Sequence, residues 1–398
     1  MTRRAGSTSP ATQLAALVAI TALAVSACAG TAAEQGRTGG AAEADGALVS
    51  TRPLTGAAAL PSASSNELVT YTSRDAADRP VVVSGAVSTP TSPPPPGGWP
   101  VVSWGHGTTG VADTCAPTAD TAGGPVHDYL STVDPTLDSW VQRGYAVVRT
   151  DYEGLGTPGP HPYLNGRSAA NALGDLVRAA HGADPRIGAD WVAMGHSQGG
   201  QAALSAAAAR PGGPVSNLRG AVAIAPGGVG ISRTAEYVKA HPDGPRTALA
   251  FLPLVLLGAA AADPAVHPDQ LLTEQAKPLL TTARTGCLSD LRETAGELRA
   301  DQVFRPDADL RPLTAYLRGQ DPIGFTPRVP TLIAQGTEDA AVAKPGTDAL
   351  VRELCGAPHR TTYETYAADH RGSVPASRDD AQRFVDALFA GRTPDTSC

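Results

Sequence analysis

Short apolar runs recur along this chain, each followed by a turn signal or by a segment whose apolar residues keep helical spacing. Residues 67–71 and 81–87 predict two early strands, and prolines 93–96 a stiff surface loop after them. The run 101–104 predicts a short buried strand ending in Gly105-His106-Gly107. Residues 137–142 end a helix, since Gly144 follows as a cap signal. A strand at 145–149 leads into Asp151-Tyr152-Glu153-Gly154-Leu155-Gly156. Residues 168–180 place Ala169, Leu173, Leu176, Val177 and Ala180 on one helical face. Further strands fall at 190–194, 221–225, 331–334 and 361–366. A closing helix at 379–389 brings Ala381, Phe384, Val385 and Leu388 together. Strands alternating with helices predict an α/β fold, a mostly parallel central sheet with helices on both faces. Function in such sheets collects at the carboxyl ends of the strands.

The pattern breaks in two places. Before the strand at 331–334 lies a long insertion, about 230–328, read as a cap above the sheet. Its apolar run 251–260 either lines an acyl pocket or forms the core of the cap; it is short and broken by Pro253, so it does not span a membrane. At the amino end, Arg3 and Arg4 precede an apolar run at 14–25 and then Val25-Ser26-Ala27-Cys28. This layout predicts a signal peptide over 1–27. Val-Ser-Ala-Cys resembles a bacterial lipobox, which implies lipidation of Cys28 and a lipid-anchored protein at the cell surface. An ordinary signal with a cysteine near the cut, and hence free secretion, is the alternative. Residues 28–50 lack hydrophobic periodicity and read as a flexible tether to a domain at 51–398.

The formal charge of −7 gives no reason to expect nucleic-acid binding. Cys115, Cys287, Cys355 and Cys398 remain after Cys28. An even number in an exported chain suggests two disulfides, with three connectivities open. Their spacing lacks the close pairs of a zinc site, so no metal is expected.

The densest chemical signal is Met194-Gly195-His196-Ser197-Gln198-Gly199-Gly200, reached by a strand and left through the Ala-rich segment 201–209. It predicts strand, sharp turn and helix with Ser197 at the apex, a nucleophile elbow. Side chains on Gly195 and Gly199 would clash in so tight a turn. An ordinary serine is a weak nucleophile and needs a base, usually histidine. In the chain order serine, acid, histidine, His359 and His370 qualify. His359 precedes the strand at 361–366 and falls at the wrong sheet edge; His370 follows it, at the edge of Ser197. His196 is the tempting alternative, but its side chain in a tight elbow points away from the serine hydroxyl. His106, His127, His161, His181, His241 and His267 read as loop, cap or structural residues. The acid is Asp339, after the strand at 331–334, with adjacent Glu338 second. For the oxyanion, one donor is the Gln198 backbone N–H. The other comes from the loop Gly105-His106-Gly107-Thr108, or from the competing loop Asp151-Tyr152-Glu153-Gly154.

Taken together, Gly105-His106-Gly107-Thr108, Cys115-Ala116-Pro117, the Asp151 to Gly156 motif, the elbow and the contexts of Asp339 and His370 resemble the secretory lipase family of α/β-hydrolases. That family includes the fungal lipase A type and actinobacterial secreted lipases. The resemblance covers the chain from about Thr51 onward. It implies Ser197, Asp339 and His370 as a catalytic triad, carboxylic esters (often lipids) as substrates, and no cofactor. It pairs Cys115 with Cys287 and Cys355 with Cys398. It also suggests that Asp151 helps form the oxyanion hole, which requires a protonated carboxyl raised in pKa by burial; the alternative is a carboxylate that orders its own loop. The expected chemistry is two-step ester hydrolysis through an acyl-enzyme. A peptidase on the same fold and a non-catalytic lipid-binding surface protein are the rival readings.

Overall fold

The computed structural model describes residues 44–241, 246–356 and 360–398. The signal segment, Cys28, most of the expected tether and His359 lie outside them. The strands are β1 (Leu48–Pro53), β2 (Ser65–Arg74), β3 (Pro80–Thr89), β4 (Trp99–Gly105), β5 (Ala146–Thr150), β6 (Ile187–His196), β7 (Leu218–Ile224), β8 (Thr331–Gly336) and β9 (Thr361–Tyr366). They form one sheet in the order β1-β2-β3-β5-β4-β6-β7-β8-β9. The strands from β4 to β9 run parallel, while β1, β2 and β3 join as an antiparallel edge.

Before the insertion come α1 (His127–Gln142), α2 (Gly166–Ala183) and α3 (Gln198–Ala208). The period of two along each strand divides the core between two faces. Val102, Trp104, Val147 and Met194 point to one face, against Val133 and Leu137 of α1. Val101, Val148 and Ala193 point to the other, against Leu173 and Leu176 of α2 and Ala203 of α3. Burial on both faces is why these strands read as continuous apolar runs.

Between β7 and β8 the chain folds into α4 (Ile231–Ala240), α5 (Leu252–Ala262), α6 (Pro268–Leu271), α7 (Lys277–Thr285), α8 (Leu288–Gly296) and α9 (Arg311–Arg318). These helices bury a core of their own around Leu254, Leu256, Leu279, Leu280 and Leu313. Each such leucine contributes about 1.5–3 kcal/mol by leaving water. After β8 follow α10 (Lys344–Cys355), α11 (Ser373–Ala376) and α12 (Arg378–Phe389). Among the described residues no helix is long and apolar enough to cross a membrane.

The tether expected up to residue 50 is corrected at its end. Gly46 N–H donates to Thr72 O at 2.8 Å, and β1 starts at Leu48 and pairs with β2. Main-chain hydrogen bonds along an open sheet edge hold this segment. Its side chains are mostly exposed, so no apolar periodicity announces it.

Candidate active site

Strand β6 carries Val192, Ala193 and Met194 through the middle of the sheet and stops at His196; α3 starts at Gln198. Ser197 alone joins them, with φ 57° and ψ −115°. A non-glycine residue there costs about 1–3 kcal/mol, so its surroundings must over-determine it. Ser197 N–H donates to Ile224 O at 2.9 Å, and Gly227 N–H donates to Ser197 O at 2.8 Å. The backbones on either side touch. A Cβ on Gly195 would lie 2.2 Å from Gly199 O, and one on Gly199 would lie 1.7 Å from Gly105 O. The first bond inside α3 runs from Gln201 N–H to Ser197 O. That leaves the Gln198 N–H without a helical acceptor, at the positive end of the helix and next to the serine.

The parallel pairing of β8 with β9 brings their carboxyl ends together, with Gly336 opposite Tyr366. Asp339 and His370 follow these two ends, and His370 Nδ1 lies 2.7 Å from Asp339 Oδ2. Asp339 Oδ1 accepts the Ala341 and Val342 N–H groups at 2.8 and 2.7 Å. Burial pushes the Asp339 carboxyl up, but the His370 hydrogen bond and charge and the two N–H donors outweigh it and hold its pKa below the ordinary range. Glu338 is exposed at the rim, so of the two candidate acids Asp339 is the one that meets the imidazole.

Ser197 and His370 share an apolar cavity of about 310 Å³ that enters the cap between Leu164, Ile231, Leu252, Val255 and Leu317. A second pocket of about 30 Å³, lined by Thr108, Tyr129, Leu288 and Arg292, also opens on Ser197 and His370. A wider cleft of about 540 Å³ lies outside His370, with Glu338, Asp369 and Arg371 on its walls. Phe251 lines all three. The apolar run at 251–260 is divided: Phe251, Leu252 and Val255 face the cavity, and Leu254, Leu256 and Ala259 are cap core.

Residues 131–396 match the secretory lipase family. The chain belongs to that family. It is a carboxylic-ester hydrolase, a lipase or esterase, and membership implies export. No curated protein matches it by sequence. Candida antarctica lipase A in its closed state is 19% identical over 89% of this chain and 84% of its own, with a TM-score of 0.75. The rice cell-wall-degrading esterase LipA of Xanthomonas oryzae, in a ligand-bound form, is 18% identical over 88% of this chain and 100% of its own, with a TM-score of 0.67. A putative hydrolase of Legionella pneumophila is 18% identical over 87% of this chain and 100% of its own, with a TM-score of 0.66. At these identities the likeness is one of fold.

In this secretory lipase His196 spends both ring nitrogens away from Ser197. Nδ1 lies 3.1 Å from Tyr129 Oη and Nε2 lies 2.9 Å from His370 O. Burial, then the neighbouring His370 charge, lowers its pKa to about 3, so it stays neutral. It packs against the His370 ring at 4.5 Å between centroids and ties down that loop. His161 makes a similar support for the elbow. Its Nε2 lies 2.9 Å from Gln198 Nε2 and its Nδ1 lies 2.7 Å from Glu153 O. Nδ1 must therefore carry the proton and Nε2 accept from the amide, in a ring that burial keeps at a pKa of about 4.

Of the expected second oxyanion donors, Gly107 lines the small pocket with Ser197, while His106 and Asp151 line neither pocket on it. Gly107 N–H is already donated to Tyr129 Oη at 2.7 Å. The His106 ring points to Gly107 O and Asp151 O, at 2.7 and 3.4 Å. Asp151 is fully buried and does not line either pocket on Ser197. Its carboxylate accepts Thr118 N–H at 2.9 Å, Thr118 Oγ1–H at 2.5 Å and Ser84 Oγ–H at 2.6 Å. Burial raises its pKa against these bonds, but the group orders its own loop. Thr108, the last residue of the expected donor loop, lines the small pocket beside Gly107, and its hydroxyl lies 2.7 Å from Tyr163 Oη.

Disulfides join Cys115 to Cys287 and Cys355 to Cys398. The first fastens the start of α8 to the loop after β4. Among the described residues no group of three or more His, Cys, Asp or Glu is arranged to hold a metal ion.

Proposed function

We propose that this secretory lipase hydrolyses esters through Ser197 as nucleophile, His370 as base and Asp339 as the group that orients His370. Ser197 attacks the ester carbonyl while His370 Nε2 takes its proton. The alkoxide leaves with that proton, and an acyl-enzyme remains. His370 then activates a water that releases the acid and restores Ser197. The Gln198 N–H is the first oxyanion donor, and Thr108 supplies the second from its main chain or hydroxyl. The observation that carries the reading is the 2.7 Å contact of His370 Nδ1 with Asp339 beside a cavity that Ser197 and His370 share. That apolar cavity takes the acyl chain. No metal or organic cofactor enters these steps.

Hydrolysis of nitrophenyl esters from acetyl to palmitoyl, by the mature domain and its Ser197→Ala variant, tests this. Turnover lost in the variant supports the serine mechanism. A folded wild type inert on the whole series would count against it and turn attention to amide substrates or to lipid binding without turnover.

The Val25-Ser26-Ala27-Cys28 motif supports cleavage before Cys28 and attachment to a membrane surface. A single acyl group anchors weakly, so stable attachment needs the several chains a bacterial lipoprotein normally carries. Labelled palmitate that enters the wild type but not Cys28→Ser is the expected result.

A further inference from the structure

Helix α8 sets Leu288, Arg292 and Ala295 on one face, because residues three and four apart stack along a helix. Leu288 and Arg292 line the small pocket on Ser197, and Arg292 continues with Ala295 into the outer cleft. The face is held in place. Cys287 is bonded to Cys115, and Leu288 N–H donates to Thr109 O at 2.8 Å. Arg371 lines the same two openings. Arg292 and Arg371 are the permanently charged side chains of the small pocket, in a protein whose formal charge is −7.

The two cations are compensated unequally. Arg371 Nη1 pairs with Asp128 Oδ2 at 2.6 Å, and its guanidinium lies over the Tyr129 ring. Arg292 has no hydrogen bond or ion pair among the described residues. Desolvation, then the charge of Arg371, holds its pKa below the usual value, with Asp128 acting the other way; an arginine remains charged all the same. Glu338 and Asp369 face the outer cleft and not the small pocket. One positive charge, exposed at the edge of the small pocket that Ser197 also lines, is therefore left without a partner for an anion to meet. The apolar cavity shares Ser197, Phe251 and His370 with this pocket and no other residue. The charge thus falls to the side of the ester away from the acyl chain.

We propose that Arg292, with Arg371 beside it, selects esters whose alcohol portion carries a negative charge, as carboxylate, sulfate or phosphate. The inference rests on Ser197 being the nucleophile. Two soluble esters test it, para-carboxyphenyl butyrate and its neutral para-methoxycarbonyl counterpart. The ratio of their kcat/KM values, anionic over neutral, is expected to fall about tenfold in Arg292→Gln, the scale of one charge-assisted hydrogen bond. In the wild type the same ratio should fall as salt is raised. Arg292→Glu should lower the ratio further and raise the relative rate on butyrylcholine. Ratios unchanged in both variants, with the neutral ester still hydrolysed, overturn the proposal. So does a loss of binding to anionic vesicles with the ratios unchanged, since the arginine would then serve a lipid surface. A folded wild type that hydrolyses neither ester would count against Ser197 as nucleophile, and the proposal would fall with it.

Discussion

Ser197 occupies a backbone conformation that its neighbours impose, and the residues around it divide the labour of keeping a histidine in place. Asp339 holds His370 through the ring nitrogen; His196 holds it through the main-chain carbonyl. Asp339→Asn keeps the shape but favours the wrong tautomer of His370, so kcat should fall by about 10⁴ with little change in KM. Steady-state kinetics on a nitrophenyl ester checks this. His196 has a different signature. Its folded pKa of about 3 lies below the ordinary 6.5, so below pH 6.5 the unfolded chain binds a proton that the native state does not. Its contribution is complete above pH 6.5 and is lost as pH falls toward 3. The stability advantage of wild type over His196→Gln should shrink by about 2 kcal/mol between pH 7 and pH 5. Urea unfolding of both proteins at the two pH values measures it; an advantage that does not shrink would mean the ring is charged when folded.

At the scale of elements, the β6–turn–α3 unit was legible because its constraint is local: two glycines whose absent side chains let backbones touch. The strands at the sheet centre were legible for the same kind of reason, each being apolar on both faces. Helix α1 is legible only from residue 137, although it starts at His127; Pro135 near its middle reads as a breaker. The first half of strand β1 falls within the expected tether because the strand's stability lies in main-chain pairing and not in side-chain burial. Helix α8 owes its place to a covalent tie. The Cys115–Cys287 bond closes a loop of 172 residues, against 43 for Cys355–Cys398. Replacing the first pair by serines should cost about 2–5 kcal/mol, and about 1 kcal/mol more than replacing the second, in the loop-entropy account. Thermal melts of the two double variants compare them directly, and the first should also lose activity as α8 leaves the pocket.

For the whole molecule, the cap bounds the cavity that opens on Ser197. A cavity of about 310 Å³ is at the small end of the usual range of roughly 300–1,000 Å³ for ligand sites. Acyl chains of short to medium length should be preferred over palmitoyl. Val255→Trp fills part of that cavity and should move the optimum of the nitrophenyl series to shorter chains; an unmoved optimum would mean that the acyl chain lies elsewhere. Such features divide according to the range of the forces that set them. Periodicity, turn chemistry and the glycine pattern act over a few residues, so the α/β fold, the elbow and the sheet edge on which the chemistry sits were readable along the chain. Spacing alone left Asp339 and Glu338 both open and was silent on Arg292, and the family resemblance left the second oxyanion donor open between the 105–108 loop and Asp151. Those outcomes depend on groups far apart in the chain: Asp339 lies 31 residues from His370, and Asp151 finds Thr118 and Ser84. Burial and hydrogen-bond competition among such distant partners are settled by packing in three dimensions, because each polar group takes the nearest partner the assembled fold offers.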